Sequence, residues 1–190
     1  MNIVEEVKKY VKEEAGKDTN PFTIDAYYTH IVPMVRYSKR LARKISADEE
    51  IVEIAAWLHD IGSLKGEYEN HHISGAKYAE EFLKKLNYPT EKIEKIKHCI
   101  ISHRGSLKIK RETIEAECIA SADGMSHFDN IVSLLNLALV IRKMSVEEAR
   151  TFSRDKLQRF WDKMIPEAKE IVKEKYEAAM LLLEKNDTFC

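Results

Sequence analysis

The sequence predicts an all-α protein, a single bundle of about eight helices, on three observations. Glycine and proline number only 6 and 4, too few for the tight turns of a β-sandwich or barrel. Apolar residues recur every three or four positions through stretches rich in lysine and glutamate, which is the pattern of amphipathic helices. Two of those stretches open on a serine followed three residues later by glutamate, the signature of a capping box. At 190 residues and 22.1 kDa the chain can bury one sizeable core, and neither a repeat nor a linker divides it. One domain over 1–190 is expected, with a motif-bearing region over 27–130 and C-terminal helices over 131–185 packed on it.

Ile3, Val4, Val7, Tyr10 and Val11 predict a first helix from about Asn2 to Glu14, stopped by Gly16. The next carries His30, Met34, Tyr37 and Leu41 on one stripe, and Pro33 places its start near Thr29 or His30. Ser46-Ala-Asp-Glu49 reads as a capping box opening a helix that is apolar almost all round and ends in His59-Asp60. Ile61-Gly62 closes it, the glycine suiting a left-handed position, and Ser63 to His71 reads as a polar loop. His72, Ala76, Ala79, Leu83 and Leu86 form the stripe of the following helix, which Asn87-Tyr-Pro89 ends. Thr90 caps a helix whose inner face holds Ile93, Ile96, Ile100 and His103, while His98 projects from the other side. Thr113 to Met125 is a further helix with Asp123 on its alanine and isoleucine face. Asp129 is expected to cap a buried apolar helix to about Met144. The Ser145-Val-Glu-Glu148 box opens a helix to Met164, and Pro166 begins the last, to about Lys185, with Asn186 to Cys190 frayed.

A net charge of -1 and a pI near 6.7 give no footprint for DNA or a membrane surface, so nucleic acid is not expected as a binding partner. The apolar run from Ile131 to Ile141 is too short to span a bilayer, and the N-terminus has no signal-peptide order. Cys99, Cys118 and Cys190 have no regular spacing and read as reduced thiols of a cytoplasmic protein. Oligomeric state is not legible.

His59-Asp60 carries the functional signal. A carboxylate at the end of a buried apolar helix costs several kcal/mol, of order 3–5 if left unpaired, and a divalent cation is an economical partner. His30 and Asp123 lie on inward stripes of other helices, and together the four make a mixed nitrogen and oxygen set suited to Mn, Fe, Zn, Co or Mg. His72 and His103 also face inward. His71, His98 and His127 read as surface residues.

The order His30, then His59-Asp60-Ile61-Gly62 after an apolar helix, then His72-Ile-Ser-Gly75-Ala76, then His103, then Ala122-Asp123 resembles the HD superfamily of metal-dependent phosphohydrolases. The likeness spans His30 to Phe128 and is specific in its ordering. It implies that His30, His59, Asp60 and Asp123 are metal ligands and that His72 and His103 complete a second metal site or contact the substrate phosphate. In this scheme Asp60, His72 and His103 are the catalytic groups, one or two divalent ions are bound, and Asp60 bridges if there are two. The substrate class implied is a small phosphorylated metabolite, a nucleotide above all. Ser63 stands where many such enzymes have lysine, which makes Lys65 and Arg104 the candidate phosphate contacts. Gly124-Met-Ser-His127 replaces the usual Asp-Arg-Leu-Asp continuation, so substrate identity does not transfer. Two other functions stand beside the hydrolase: a non-catalytic nucleotide-binding or regulatory HD module, and a di-iron oxygenase-type bundle.

Overall fold

The computed structural model describes residues 2–104 and 109–184, so Cys190 and the segment 186–190 lie outside the described residues. The elements, in chain order, are α1 (Ile3–Ala15), a π-helical turn (Tyr27–Ile31) running into α2 (Val32–Ile45), α3 (Glu49–Leu58), α4 (Ile61–Leu64), a 3-10 turn (Tyr68–Asn70), α5 (His71–Lys85) and α6 (Thr90–Ser102). After them come α7 (Ile114–Asp129), α8 (Ile131–Asn136), a second π-helical turn (Leu137–Ile141), α9 (Val146–Lys163) and α10 (Pro166–Leu182). Setting aside the one-turn α4 and the short α8, eight helices of ten residues or more remain, and no strand forms among the described residues.

α3 is the axis of the bundle because seven of its ten residues, Ile51, Val52 and Ile54–Leu58, are buried. α1, α2, α6 and α7 pack around it, and α9 and α10 close over α7. No single helix among the described residues is long and apolar enough to cross a membrane. α7 and the run through Ile141 pass together by composition, but an 88° bend separates them.

Several local features differ from the sequence expectation, each for a specific reason. Asp48, not Ser46, caps α3, its carboxylate accepting from the Glu50 and Ile51 amides at 3.0 and 3.1 Å. Ser46 instead ends α2 in the left-handed region, with φ of 58°. Helical backbone begins at Asp25, so His30 sits within the helix and Pro33 well inside it. The π turn accommodates the proline by widening the helix beneath its ring. The Thr29 carbonyl, which Pro33 cannot bond, accepts from Asn130 Nδ2 at 3.3 Å. Asn130 also caps α8, its side chain accepting from the Ser133 amide. Asp129 is used elsewhere, accepting from Tyr37 Oη at 2.6 Å and pairing with Lys175, which ties α10 to α2 and α7.

The run from Ile131 to Ile141 is not a buried helix: only Leu134 and Ala138 are buried, while Val132 and Val140 stand 71% and 64% exposed. The segment after His59-Asp60 is not an open loop either, since Ile61, Gly62, Ser63 and Leu64 form α4 and are all buried.

Gly62 does not take a left-handed conformation; Gly66 is the only described glycine with positive φ. Its role is close approach. A Cβ at Gly62 would meet the His71 carbonyl oxygen at 2.6 Å and its Cα at 2.8 Å, so a glycine is what lets the first turn of α5 lie directly on α4. Gly62→Ala should therefore destabilise the fold by about 1–3 kcal/mol. Gly16→Ala should be neutral or stabilising by up to about 1 kcal/mol, because Gly16 is in the right-handed region and a Cβ there meets nothing closer than 3.7 Å. Urea unfolding of both variants against the parent chain checks the contrast.

Candidate metal centre

Four imidazoles converge on one carboxylate. His30 comes from the π turn, His59 and Asp60 from the end of α3, His71 from the first residue of α5, and His103 from the end of α6. Nε2 of His30 lies 3.1 Å from Nε2 of His59, and the two stand 3.4 and 3.5 Å from Asp60 Oδ2. On the other side, Nε2 of His71 lies 3.3 Å from Nε2 of His103, at 3.5 and 4.0 Å from Asp60 Oδ1. Asp123, on α7, places Oδ1 3.5 Å from His30 Nε2.

The other ring nitrogen of each imidazole fixes its tautomer. Nδ1 of His59, His71 and His103 faces the carbonyl three residues back, on Ala56, Tyr68 and Ile100, at 2.8, 2.7 and 2.6 Å. A carbonyl only accepts, so each Nδ1 carries the hydrogen. Nδ1 of His30 faces Ser126 Oγ at 2.9 Å, and that hydroxyl donates to the Asp123 carbonyl, so it too accepts from the ring. In the neutral rings all four Nε2 lone pairs then point inward, two against two, with a carboxylate oxygen beside each pair. Such an arrangement can hold a cation.

The spacing suits one. Ligand atoms about 2.1 Å from a shared ion lie about 3.0–3.4 Å apart at octahedral to tetrahedral angles. His30, His59 and Asp60 form one group of donors within 4.8 Å of one another, and Asp60, His71 and His103 form a second. The residue types fit a divalent transition metal in both.

Burial pushes His103 down to about 4, with His59 adding repulsion, and burial also depresses His59. In His30 burial is outweighed by Asp60 and Asp123, which raise its pKa. Asp60 is partly buried, which raises its pKa, yet the imidazoles of His59, His30 and His71 hold it well below the usual carboxylate range.

The structure thus brings His30, His59, Asp60, Asp123 and His103 together, and it corrects three expectations. His71, expected at the surface, is buried and faces Asp60, whereas His72 turns away, its Nδ1 3.4 Å from Arg104. Successive residues on a helix are 100° apart, and the close packing of α4 on α5 at Gly62 decides which of the two points inward. His127 is no surface residue: it lies 3.7 Å from Asp123 Oδ1 and stacks on His30 with ring centroids 4.8 Å apart. Its i+4 spacing from Asp123 was the available signal. Lys65 does not reach the site, since Glu14 takes it at 3.0 Å and its ammonium lies over the Tyr78 ring. Arg104 does line the cavity, braced by the Glu69 carbonyl. His98 remains outside, accepting from the Glu112 amide at 3.0 Å.

The centre forms one wall of a cavity of about 590 Å³, a volume suited to a small-molecule ligand. Tyr68, residues within 22–29, and residues of α8, the second π turn and α9 line other parts of it. Lys156, on α9, is among them and carried no mark in the sequence.

Comparison with known proteins agrees with this fold. Over 98% of both chains the fold resembles Bacillus subtilis YpgQ in complex with ADP, with a TM-score of 0.71 and 19% identity. The Lin1889 protein of Listeria innocua matches over 96% of this chain and 94% of its own, at TM-score 0.65 and 21% identity. A predicted HD superfamily hydrolase from an uncultured Thermotogales bacterium matches over 81% and 84%, at 0.57 and 21%. In sequence, a tRNA (cytidine(56)-2'-O)-methyltransferase of Picrophilus torridus is 29% identical over 69% of this chain, which spans only 44% of that protein's length. The HD domain family model matches residues 27–127, from the π turn that carries His30 to His127 on α7. This chain belongs to the HD domain family.

Proposed function

We propose that the protein is a metal-dependent phosphohydrolase acting on a small phosphorylated metabolite, a nucleotide above all. His30, His59, Asp60 and Asp123 hold one divalent cation, and Asp60, His71 and His103 hold a second. The observation that carries this reading is the inward convergence of four tautomerically fixed Nε2 atoms on the two oxygens of Asp60. A cation held there supplies a Lewis acid that makes water a nucleophile near neutral pH and draws charge from a phosphoryl oxygen.

The chain's own residues do the rest. Asp60 presents one oxygen to each imidazole pair and so fixes the distance between them. Ser126 and the three backbone carbonyls keep the rings from rotating and leave Nε2 unprotonated. Arg104 brings a guanidinium to the cavity beside His103, positioned by Glu69 and His72, where it can bind a phosphate oxygen. His72 therefore serves as a support for Arg104. The ADP held by the Bacillus neighbour supports a phosphorylated ligand of this size.

Asp60→Ala should lose bound metal and reduce turnover of a chromogenic phosphate ester to background, measured by elemental analysis and steady-state assay. His71→Ala should fall with it, whereas His72→Ala should retain its metal. Full metal content and activity in Asp60→Ala would end the assignment. Ser126→Ala, which leaves the His30 ring unheld, should weaken metal affinity by about 10–100-fold.

The metal-free protein should lose stability as pH falls from about 6.5 towards 4. In that window the unfolded imidazole of His103 takes a proton that the folded one, pushed down to about 4, refuses. His59 and His127 shift the same way, against His30 alone in the opposite sense. Thermal melts in chelator across that range test the sign.

A further inference from the structure

Three cations on the cavity wall form no close ion pair with a carboxylate among the described residues. Lys156 and Arg159 project from α9, and Arg142 follows the second π turn. None has a carboxylate oxygen within 4.0 Å among the described residues, although Lys39, Lys44, Lys84, Lys92 and Lys97 elsewhere each have one. All three lie beyond the segment 27–127 that matches the family.

Their placement is built into the packing. Gly124 leaves the notch that admits α9: a Cβ there would meet Met164 Cε at 2.6 Å and Phe160 Cβ at 2.9 Å. Phe160 stacks on His127 at 4.8 Å between centroids, and His127 stacks on His30 at the same spacing. Lys156 Nζ stands 5.7 Å from the Phe160 ring, so a ladder of three rings sets its distance from the metal ligands. Arg142 is held by aromatic faces, its guanidinium 4.9 Å from Phe152 and 5.8 Å from Tyr68. Burial depresses the Lys156 ammonium while Asp123 and Asp60 support it, and Arg142 and Arg159 repel it. A partly buried cation among cations, facing a cavity, is a site for an anion.

We propose that Lys156, backed by Arg142, binds the phosphate next to the one attacked at the metal centre, so that this chain selects nucleoside di- and triphosphates over monoesters. The inference rests on the hydrolase reading above. In the reaction, water oxygen bonds to phosphorus and the bond from phosphorus to the bridging oxygen breaks. The electron pair stays on that oxygen, and a water proton passes to solvent or to the departing phosphate. Lys156 meets the charge that gathers on the departing phosphate.

The test is kcat/KM with Mn²⁺ for ATP, ADP, AMP and p-nitrophenyl phosphate, in the parent chain, Lys156→Gln and Lys156→Arg. Circular dichroism and bound manganese serve as folding controls. Lys156→Gln should lower the ratio of ADP or ATP turnover to p-nitrophenyl phosphate turnover by tenfold or more, chiefly through KM for the polyphosphate, and Lys156→Arg should restore part of it. A ratio within twofold of the parent value overturns the proposal, as does a parent chain that prefers AMP to ADP and ATP. If the parent chain binds manganese but turns over none of the four, the hydrolase reading fails separately. Calorimetry then decides on Lys156: a tenfold loss of ADP affinity relative to AMP in Lys156→Gln supports it, and no relative loss overturns it.

Discussion

Asp60 faces two pairs of imidazoles at once, and the fold around it depends on that arrangement. Its carboxylate sits where the largely buried helix α3 ends, with one oxygen toward His30 and His59 and the other toward His71 and His103. Each of the four rings reaches it from a different turn of the chain, and each is locked by its own Nδ1 contact. Removing any one lock would free a ring to rotate, and the remaining lone pairs would no longer point at one place. The centre therefore constrains where α3, α5, α6 and the π turn before α2 can lie relative to one another.

Glycine permits two close approaches between helices. At Gly62 the absent Cβ lets α5 settle on α4 and delivers His71 to Asp60; at Gly124 it lets α9 settle on α7 and delivers Phe160 and Lys156 to the cavity. The first lies within the family segment and the second faces an element outside it. The candidate metal ligands and the cations of the cavity wall are thus carried by different helices.

Helical periodicity made most of the bundle legible. The inward stripes of Met34, Tyr37 and Leu41, of Ala76, Ala79 and Leu83, and of Ile93, Ile96 and Ile100 are all buried, and the Ser145 to Glu148 capping box is present. His30, His59, Asp60, Asp123 and His103 were legible as a group because each is a polar residue on an apolar stripe. The choice between His71 and His72 was not, since adjacent residues at a helix start differ by 100° and only the tertiary approach at Gly62 settles their direction. Asp48 displaced Ser46 as a cap because Ser46 takes a left-handed conformation that ends α2. The run 131–141 misled because apolar content does not say whether a segment lies in the core or on the rim of a cavity. Lys156 carried no local mark at all, being an ordinary lysine until α9 packs against α7.

The most direct test of the central claim is anomalous diffraction from crystals equilibrated with Mn²⁺. The account predicts a peak enclosed by His30, His59, Asp60 and Asp123 and a second between Asp60, His71 and His103. Saturating manganese with no peak touching Asp60, or a bound ion whose ligands include His72 in place of His71, would contradict it.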